Sequence, residues 1–378
     1  SSTQSFNGDI STWDVSNVTN MGNMFNGAIN FDQNLINWDV SNVTNMGSMF
    51  QNANALSDEN QCAIHTSFST NSNWPYDWSG SCPFKPTTKS ELQTAVDLWV
   101  DDNVTALSTY GDINTWDVSL ITDMANLFED KTTFNDDIGD WDVSNVTNMA
   151  NMFKKAESFN QDLSSWDVSN VTNMYTMFYR ASSFNGNISS WDVSSATTIH
   201  QMFYGTTNFN QDISGWNVSN LTEMIFLFAL SNFNQDISSW DVSNVTNMAH
   251  MFRDNDNFNQ DLSSWNVSSV TNMELMFYSA DVFNRDISSW DVSSVTNMYG
   301  IFLGANGLSD ENKCAIHISW STNENWSYDW FGLCNFTDIT QDNIQTAVNL
   351  WVDDNAAALS TYGEINTWDV SVVTDMSG

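Results

Sequence analysis

The chain has 378 residues, of which 41% are hydrophobic and 13% aromatic, enough to bury a sizeable core. Only 9 Lys and Arg residues oppose 46 Asp and Glu residues, and the formal net charge of -37 makes nucleic-acid phosphates and anionic membranes poor partners. We therefore exclude nucleic-acid binding and, because no apolar run is as long as a bilayer span, membrane insertion of this segment.

The first residues, "SSTQSFNGDI", have neither the basic region nor the apolar stretch of a signal peptide. The repeat pattern already runs at Phe6 and breaks off at Gly378. We therefore expect a segment of a longer polypeptide, with any secretion signal or anchor outside it. So acidic a surface stays soluble at high ionic strength, which favours a salty extracellular medium.

The nonapeptide "WDVSNVTNM" begins at Trp13 and recurs in near copies along the chain. The repeats are anchored at Trp13, Trp38, Trp116, Trp141, Trp166, Trp191, Trp216, Trp240, Trp265, Trp290 and Trp368. Successive spacings are 25 residues, except for one of 24 and two of 78. A period near 25 residues predicts a solenoid with one coil per repeat.

A second period appears across the long gaps. Trp38 and Trp290 are 252 residues apart, and so are Cys62 and Cys314. We therefore divide the chain into three parts. Residues 1–86 are the C-terminal part of one module, with its last two coils and the Cys62/Cys82 cap. Residues 87–338 are a complete module of 252 residues, and residues 339–378 start the next, with a capping helix and first coil.

Within one coil the apolar pattern changes period. Around Trp166, the Trp-x-Val stretch alternates as in a short strand, and the following V-x-x-M-x-x-M-F proceeds in steps of three, as in a tight or 3₁₀-like turn. Coils stacked about 4.8 Å apart as parallel strands would bury Trp on Trp and Phe on Phe. The fold class that we predict is a repeat solenoid, mainly β. The 24-residue repeat lacks one residue between Phe228 and Phe233, in an outer loop, so the columns should stay aligned.

The pattern I-x-x-W-x-V-x-x-V-x-x-M-x-x-M-F resembles the leucine-rich-repeat variant of BspA-like surface proteins, also described as the bacterial surface protein 26-residue repeat. The resemblance covers nearly the whole chain. It implies a right-handed leucine-rich solenoid with short parallel strands, displayed on the cell surface. It implies no enzymatic activity, because the family has none in common.

The ends of a solenoid need caps, since they expose core and unpaired backbone. Thr88 and Glu91 form a capping-box pattern, and Leu92, Val96 and Trp99 share one helical face, which predicts an N-terminal capping helix over roughly residues 88–107. The eight coils then run over about 111–302. The other cap occupies residues 303–338, where Trp320, Trp326 and Trp330 should cover the last coil.

The four cysteines fall into these caps. Cys62 and Cys82, and Cys314 and Cys334, are each 20 residues apart, which predicts two local disulfides, each contributing about 3 kcal/mol, in an oxidising compartment. Zinc is the weaker alternative, because there is no C-x-x-C and each pair has a single nearby His.

The residue after each Trp is usually acidic, which predicts a column of carboxylates on the outer surface. Six of them form a candidate cation ladder: Asp117, Asp142, Asp167, Asp192, Asp241 and Asp291. Carboxylates about 5 Å apart would repel by roughly 1 kcal/mol, and calcium or another divalent ion would relieve this. We favour the alternative, in which neighbouring Ser, Thr or backbone groups satisfy each carboxylate. We therefore expect no cofactor, with calcium as the one candidate.

Asparagines in N-x-Thr sequons recur in the coils, at Asn17, Asn42, Asn145, Asn170, Asn220 and Asn244. Glycans about 4.8 Å apart would collide, so we assign these residues to turns in which the amide satisfies backbone groups. Candidate glycosylation sites outside the coil motif are Asn103, Asn325 and Asn335.

Nothing in the sequence indicates an enzyme. His200 and His250 lie at different offsets from their Trp, and G-x-S-x-G, H-E-x-x-H and Gly-rich phosphate loops are missing. We predict a structural protein whose tandem capped modules build an extracellular or cell-surface filament, stalk or appendage by self-association. The alternative is an adhesin that recognises a glycan or protein, for which scattered aromatics such as Tyr175, Tyr179, Tyr204 and Tyr299 are a weak signal.

Overall fold

The computed structural model describes residues 5–334 and 336–376. The chain divides into two compact units, one made of Ser1–Lys85 with Thr109–Asp117 and the other of Pro86–Ser108 with Val118–Gly378. These units are defined by which residues pack together. The module boundaries at residues 86 and 338 come from the sequence repeat alone and stay a prediction.

Helices occur between the runs of coils. The α-helices are α1 (Asp58–Phe68), α2 (Lys89–Asp101), α3 (Asn103–Tyr110), α4 (Asp310–Trp320), α5 (Ile344–Asp353) and α6 (Asn355–Tyr362). Short 3₁₀ turns follow at Ser79–Ser81, Ile113–Thr115, Phe331–Leu333 and Ile365–Thr367. Over the described part of the chain, every helix is too short or too polar to cross a bilayer.

The predicted capping helix is confirmed at its start. The Thr88 hydroxyl accepts from the Glu91 N–H at 3.2 Å, and the Glu91 carboxylate accepts from the Thr88 N–H at 3.3 Å, which completes the capping box. α2 then lies on the first coil, with Lys89 Nζ 3.1 Å from Asp123 and Trp99 Nε1 3.0 Å from Asp136.

The predicted C-terminal end of that helix, at residue 107, is wrong. α2 stops at Asp101, and α3 begins two residues later. The reason is Asp102, whose carboxylate accepts from the N–H of Thr105 at 3.1 Å and from its hydroxyl at 2.6 Å. A short acceptor at this position caps a new helix start, so the helix breaks there.

The predicted stacking of equivalent side chains is confirmed. The rings of Trp166 and Trp191 are parallel within 1° at a centroid distance of 6.4 Å, and Phe153 and Phe178 are parallel within 2° at 5.4 Å. The 24-residue repeat keeps the register, since Phe233 still stacks on Phe209 at 6.0 Å. The core is therefore a set of columns running through the coils.

The predicted mainly-β solenoid, right-handed and leucine-rich with short parallel strands, is wrong as a fold class. Residues 5–334 and 336–376 contain no β-strand, and the β-pairing between these coils is limited to isolated parallel bridges of one residue pair each, such as Asn148 with Asn173. The Trp-x-Val stretch is flanked by turns, since Trp166 N–H bonds Leu163 O at 3.1 Å and Val171 N–H bonds Val168 O at 2.9 Å. Instead of a strand ladder, the Trp166 indole N–H reaches back 3.0 Å to the Ile138 carbonyl of the preceding coil.

Left-handed residues explain why no strand forms in the second half of a coil. The tenth and fourteenth residues after the Trp have positive φ, for example Asn151 at 58° and Lys155 at 57°. Their N–H groups point out of their own coil and bond Tyr175 O at 2.9 Å and Tyr179 O at 2.7 Å in the next one. Pleated strands need negative φ throughout, so this backbone gives coil-to-coil bonds without a sheet.

Both predicted disulfides are formed, Cys62–Cys82 and Cys314–Cys334, with Cα atoms 4.7 and 5.0 Å apart. In the second cap Trp320 is fully buried and lies 5.9 Å from Phe302 of the last coil. Trp326 and Trp330 also contact Phe302, as predicted. The His317 ring accepts from Trp326 Nε1 at 3.1 Å, so this imidazole serves the cap.

The left-handed positions make a prediction for stability. Gly27 has a φ of +72°, and no atom lies within 4 Å of the position that a Cβ would occupy, so Gly27→Ala adds backbone strain without a clash. We expect a loss of about 1 kcal/mol in the free energy of unfolding, measured from the urea midpoint.

The matched control is Gly80→Ala, in the same unit. Gly80 also has open space around it but no left-handed φ, so the free energy of unfolding should change by less than about 0.5 kcal/mol. Equal losses in the two variants would contradict the role of the left-handed residue.

Candidate functional site

The predicted carboxylate column lies on the surface, and most of its members share one geometry. Asp142 Oδ1 accepts from the N–H of Ser144 at 3.1 Å and from its hydroxyl at 2.6 Å. The N–H of the Ser two residues on is 3.0 to 3.1 Å from the carboxylates of Asp167, Asp192, Asp241 and Asp291. Asp117 has a cation beside it, since Lys85 Nζ lies 2.5 Å from its carboxylate.

These hydrogen bonds favour the charged form of Asp167 and Asp192. The Ser169 hydroxyl and N–H hold the pKa of Asp167 below its usual value, whereas partial burial and the Asp192 charge act in the opposite direction with smaller effect. The Ser194 hydroxyl and N–H likewise lower the pKa of Asp192. The repulsion expected between neighbouring carboxylates is present, but the Ser donors outweigh it.

The column does not assemble a set of metal ligands. Within residues 5–334 and 336–376, no three His, Cys, Asp or Glu side chains are grouped so that they could hold a metal ion. An ion on the column would bridge carboxylates of neighbouring coils and take its remaining ligands from water, since calcium binds six to eight oxygens. Calcium on this column stays the alternative to the interpretation that neighbouring groups satisfy each carboxylate.

The repeated sequon asparagines join the coils, as expected. The side-chain amides of Asn145, Asn170 and Asn220 donate to Ser carbonyls of the preceding coil at distances of 2.9, 2.8 and 2.6 Å. Each amide therefore satisfies a backbone acceptor that a strand ladder would otherwise have used.

The three other candidate sequons have different surroundings. Asn103 is exposed at the first residue of α3. Asn325 is half-buried, and its Nδ2 donates to Val295 O at 3.3 Å and to Asn323 Oδ1 at 3.2 Å, so a glycan on that atom would replace one of these bonds. Asn335 lies outside the described residues.

The two histidines of the coils are not brought together. His200 Nε2 lies 3.0 Å from Glu223, and burial lowers the pKa of this imidazole while the Glu223 charge opposes the shift. His250 instead stacks on Phe226, with ring centroids 4.1 Å apart. The prediction that the protein is not an enzyme stays a prediction.

Tyr179 and Tyr204, which the sequence presents as scattered aromatics, belong to a row of rings outside the core that sequence reasoning missed. Tyr179 stacks on Tyr204 at 4.7 Å, Tyr204 meets Phe226 edge to face at 5.8 Å, and Phe226 stacks on His250. We call these four residues the aromatic ridge. The sequence contained a signal for this row, namely aromatic rings at fixed distances from the Trp in four consecutive coils. Tyr179 and Tyr204 occupy the thirteenth position after their Trp, and Phe226 and His250 occupy the tenth.

The carboxylate column makes a prediction for pH dependence. Because the folded state lowers the pKa of Asp167 and Asp192, their contribution is present above the unfolded-state pKa and is lost as pH falls through the folded-state pKa. The melting temperature should therefore fall on acidification below about pH 4. Asp167→Asn with Asp192→Asn should reduce this fall and lower the melting temperature at pH 7 slightly, because a neutral amide oxygen accepts from the Ser donors less strongly than a carboxylate does.

The chain itself supports this substitution, since Asn217 replaces Asp in its coil and accepts from the Ser219 hydroxyl at 2.7 Å. In the same assay, calcium should leave the melting temperature of the wild type unchanged. A calcium-dependent rise that the double variant loses would instead establish the cation ladder.

Comparison with protein families gave a match that recurs along the chain. The family model described as Mycoplasma protein of unknown function, DUF285, matches residues 1–74, 94–216 and 197–314. Comparisons with curated proteins and with solved structures gave no significant match. Because the matched segments cover well over half of its length, the chain belongs to the DUF285 family.

Proposed function

We propose that the protein is a structural component of an extracellular or cell-surface filament, stalk or appendage, assembled from tandem capped modules. The observation that carries this proposal is that the segment leaving each disulfide-closed cap packs onto the start of the following repeat array. The two disulfides support an oxidising compartment. The family match is consistent with BspA-like surface repeats.

The first of these junctions is packed through Phe84, two residues after Cys82. Its ring lies 4.5 Å from the Tyr110 ring and 5.2 Å from the Trp116 ring. Its carbonyl accepts from the Asp117 N–H at 2.9 Å, and Lys85 forms the ion pair with Asp117. The segment after the cap is thus held to residues 110–117, which begin the following repeat array.

The second junction uses different contacts. Phe336, two residues after Cys334, packs back on Phe331 of the cap at 5.1 Å, and the Thr337 N–H bonds Thr361 O of α6 at 2.7 Å. Gln341, at the position equivalent to Lys89, accepts from the Asp375 N–H at 2.8 Å and donates to its carbonyl at 2.7 Å. Packing at both junctions resists extension of the chain, as a load-carrying filament requires.

The caps explain why modules would remain separate bodies in such a filament. Trp320 stacks on Trp290 at 6.1 Å and covers the last column of the core. The coils of one module therefore cannot continue directly into those of the next. Partners of the protein would be adjacent modules and other copies of the same chain.

Electron microscopy of negatively stained native material tests the proposal. We expect long polymers with a regular axial repeat. Reduction of the two disulfides should open the caps and shorten or dissolve the polymers, whereas a mock treatment without reductant should leave them intact. Isolated particles that bind a glycan or protein saturably would contradict the proposal and favour the adhesin.

A further inference from the structure

One face of the coils varies in side chain from coil to coil although backbone hydrogen bonds hold it together. We define the variable face as the residues nine, ten, thirteen and fourteen positions after the Trp of each coil from Trp116 to Trp290. Here backbone groups join the coils, as where Thr176 N–H bonds His200 O at 2.9 Å and Arg180 N–H bonds Tyr204 O at 2.7 Å. The side chains are therefore free to differ from coil to coil.

The aromatic ridge lies on this face and extends across four consecutive coils. The Arg180 guanidinium lies 5.6 Å from the Tyr179 ring centre and 6.0 Å from that of Tyr204, within the range of cation–π attraction. Leu230, beside the ridge in sequence position, is 40% exposed. Tyr, Phe and Arg are residue types enriched at the centres of protein–protein interfaces.

The charge of the variable face sets it apart from the rest of the molecule. It holds four basic and four acidic residues, so it is formally neutral in a chain of net charge -37. Lys154 pairs with Glu129 at 2.8 Å, Lys155 with Asp130 at 3.1 Å, and Arg253 with its neighbour Asp254. Two copies of so acidic a chain repel least where they approach through this face.

The fold itself does not require the ridge. Asn26 occupies the thirteenth position after Trp13, where Tyr179 and Tyr204 stand in their coils, and Asn151 occupies the tenth position, where Phe226 stands. Asn tolerates the left-handed backbone of the tenth position, where Asn151 and Phe226 have φ of 58° and 54°. The rings can therefore be removed with residues that the chain already uses.

We propose that the aromatic ridge is the lateral self-association surface, and that it receives the variable face of a second copy of this chain. This inference deepens the proposed filament and rests on it. Apolar ring surface drives the contact, and the neutrality of the face lets two acidic chains meet. A protein partner or a glycan on the same rings would be a different occupant.

Sedimentation velocity of the 378-residue chain tests this inference over a range of concentrations and of NaCl. The variant combines Tyr179→Asn, Tyr204→Asn and Phe226→Asn, and the control is Leu120→Asn, which removes an apolar side chain that is 52% exposed outside the variable face. We expect the wild type and the control to associate, and the triple variant to have a dissociation constant raised at least about tenfold. Unchanged circular dichroism would show that the variant is folded.

Salt gives a second readout. Salt screens the net negative charge of the two copies, so it should strengthen association through a neutral aromatic face. Association through ion pairs between Lys or Arg of one copy and the carboxylate column of the other would instead weaken with salt. A monomeric wild type, an unaffected triple variant or weakening by salt each overturns the inference. If native polymers are still seen together with one of these results, the filament proposal holds and only the assignment of its lateral surface fails. If the wild type associates through the ridge but no native polymers are seen, the ridge is a self-association surface and the filament proposal fails.

Discussion

Each coil that is followed by another is joined to it by N–H groups that left-handed residues turn out of their own coil. Thr176 and Arg180, with φ of 51° and 55°, each donate to a carbonyl of the following coil. A left-handed non-glycine residue costs roughly 1–2 kcal/mol, so the backbone keeps this conformation only because buried columns on the other side fix the register. The Trp and Phe columns and the left-handed pairs are thus one mutually dependent arrangement.

The sequence predicted the parts of this arrangement that follow from burial and chain connectivity. Equal spacing of Trp166 and Trp191 forces their rings into one column, because only then is each ring covered. The cap disulfides and the α2 capping box were equally predictable, since each is a local pattern with a single economical geometry. The break at Asp102 was missed because its capping bonds compete with an otherwise continuous helical face.

Strand and turn could not be separated in the same way. Apolar residues at every second position, as at Trp166 and Val168, are typical of a strand. The same pattern also occurs in an extended stretch of only three residues that lies between two tight turns, as it does here. In proteins generally, a glycine in the sequence is the usual sign of a left-handed position, as at Gly205 and Gly304. Most coils of this chain have a non-glycine residue there, such as Asn, Lys, Phe or His. The aromatic ridge was hidden for the same reason. The contact of Tyr204 with Phe226 joins two different offsets, which meet only along this unusual backbone.

The molecule's surface is divided according to which groups carry the bonds between coils. Where side chains carry them, as Asn170 does to Ser144 O, the same residue types recur from coil to coil. The Asp and Ser that follow each Trp recur for a related reason, since together they form the turn within each coil. On the variable face backbone groups carry the bonds, the side chains are released, and the positions range from glycine to tyrosine and arginine. A repeat protein built in this way can change what it contacts without changing how its coils stack, because the two tasks fall on different atoms.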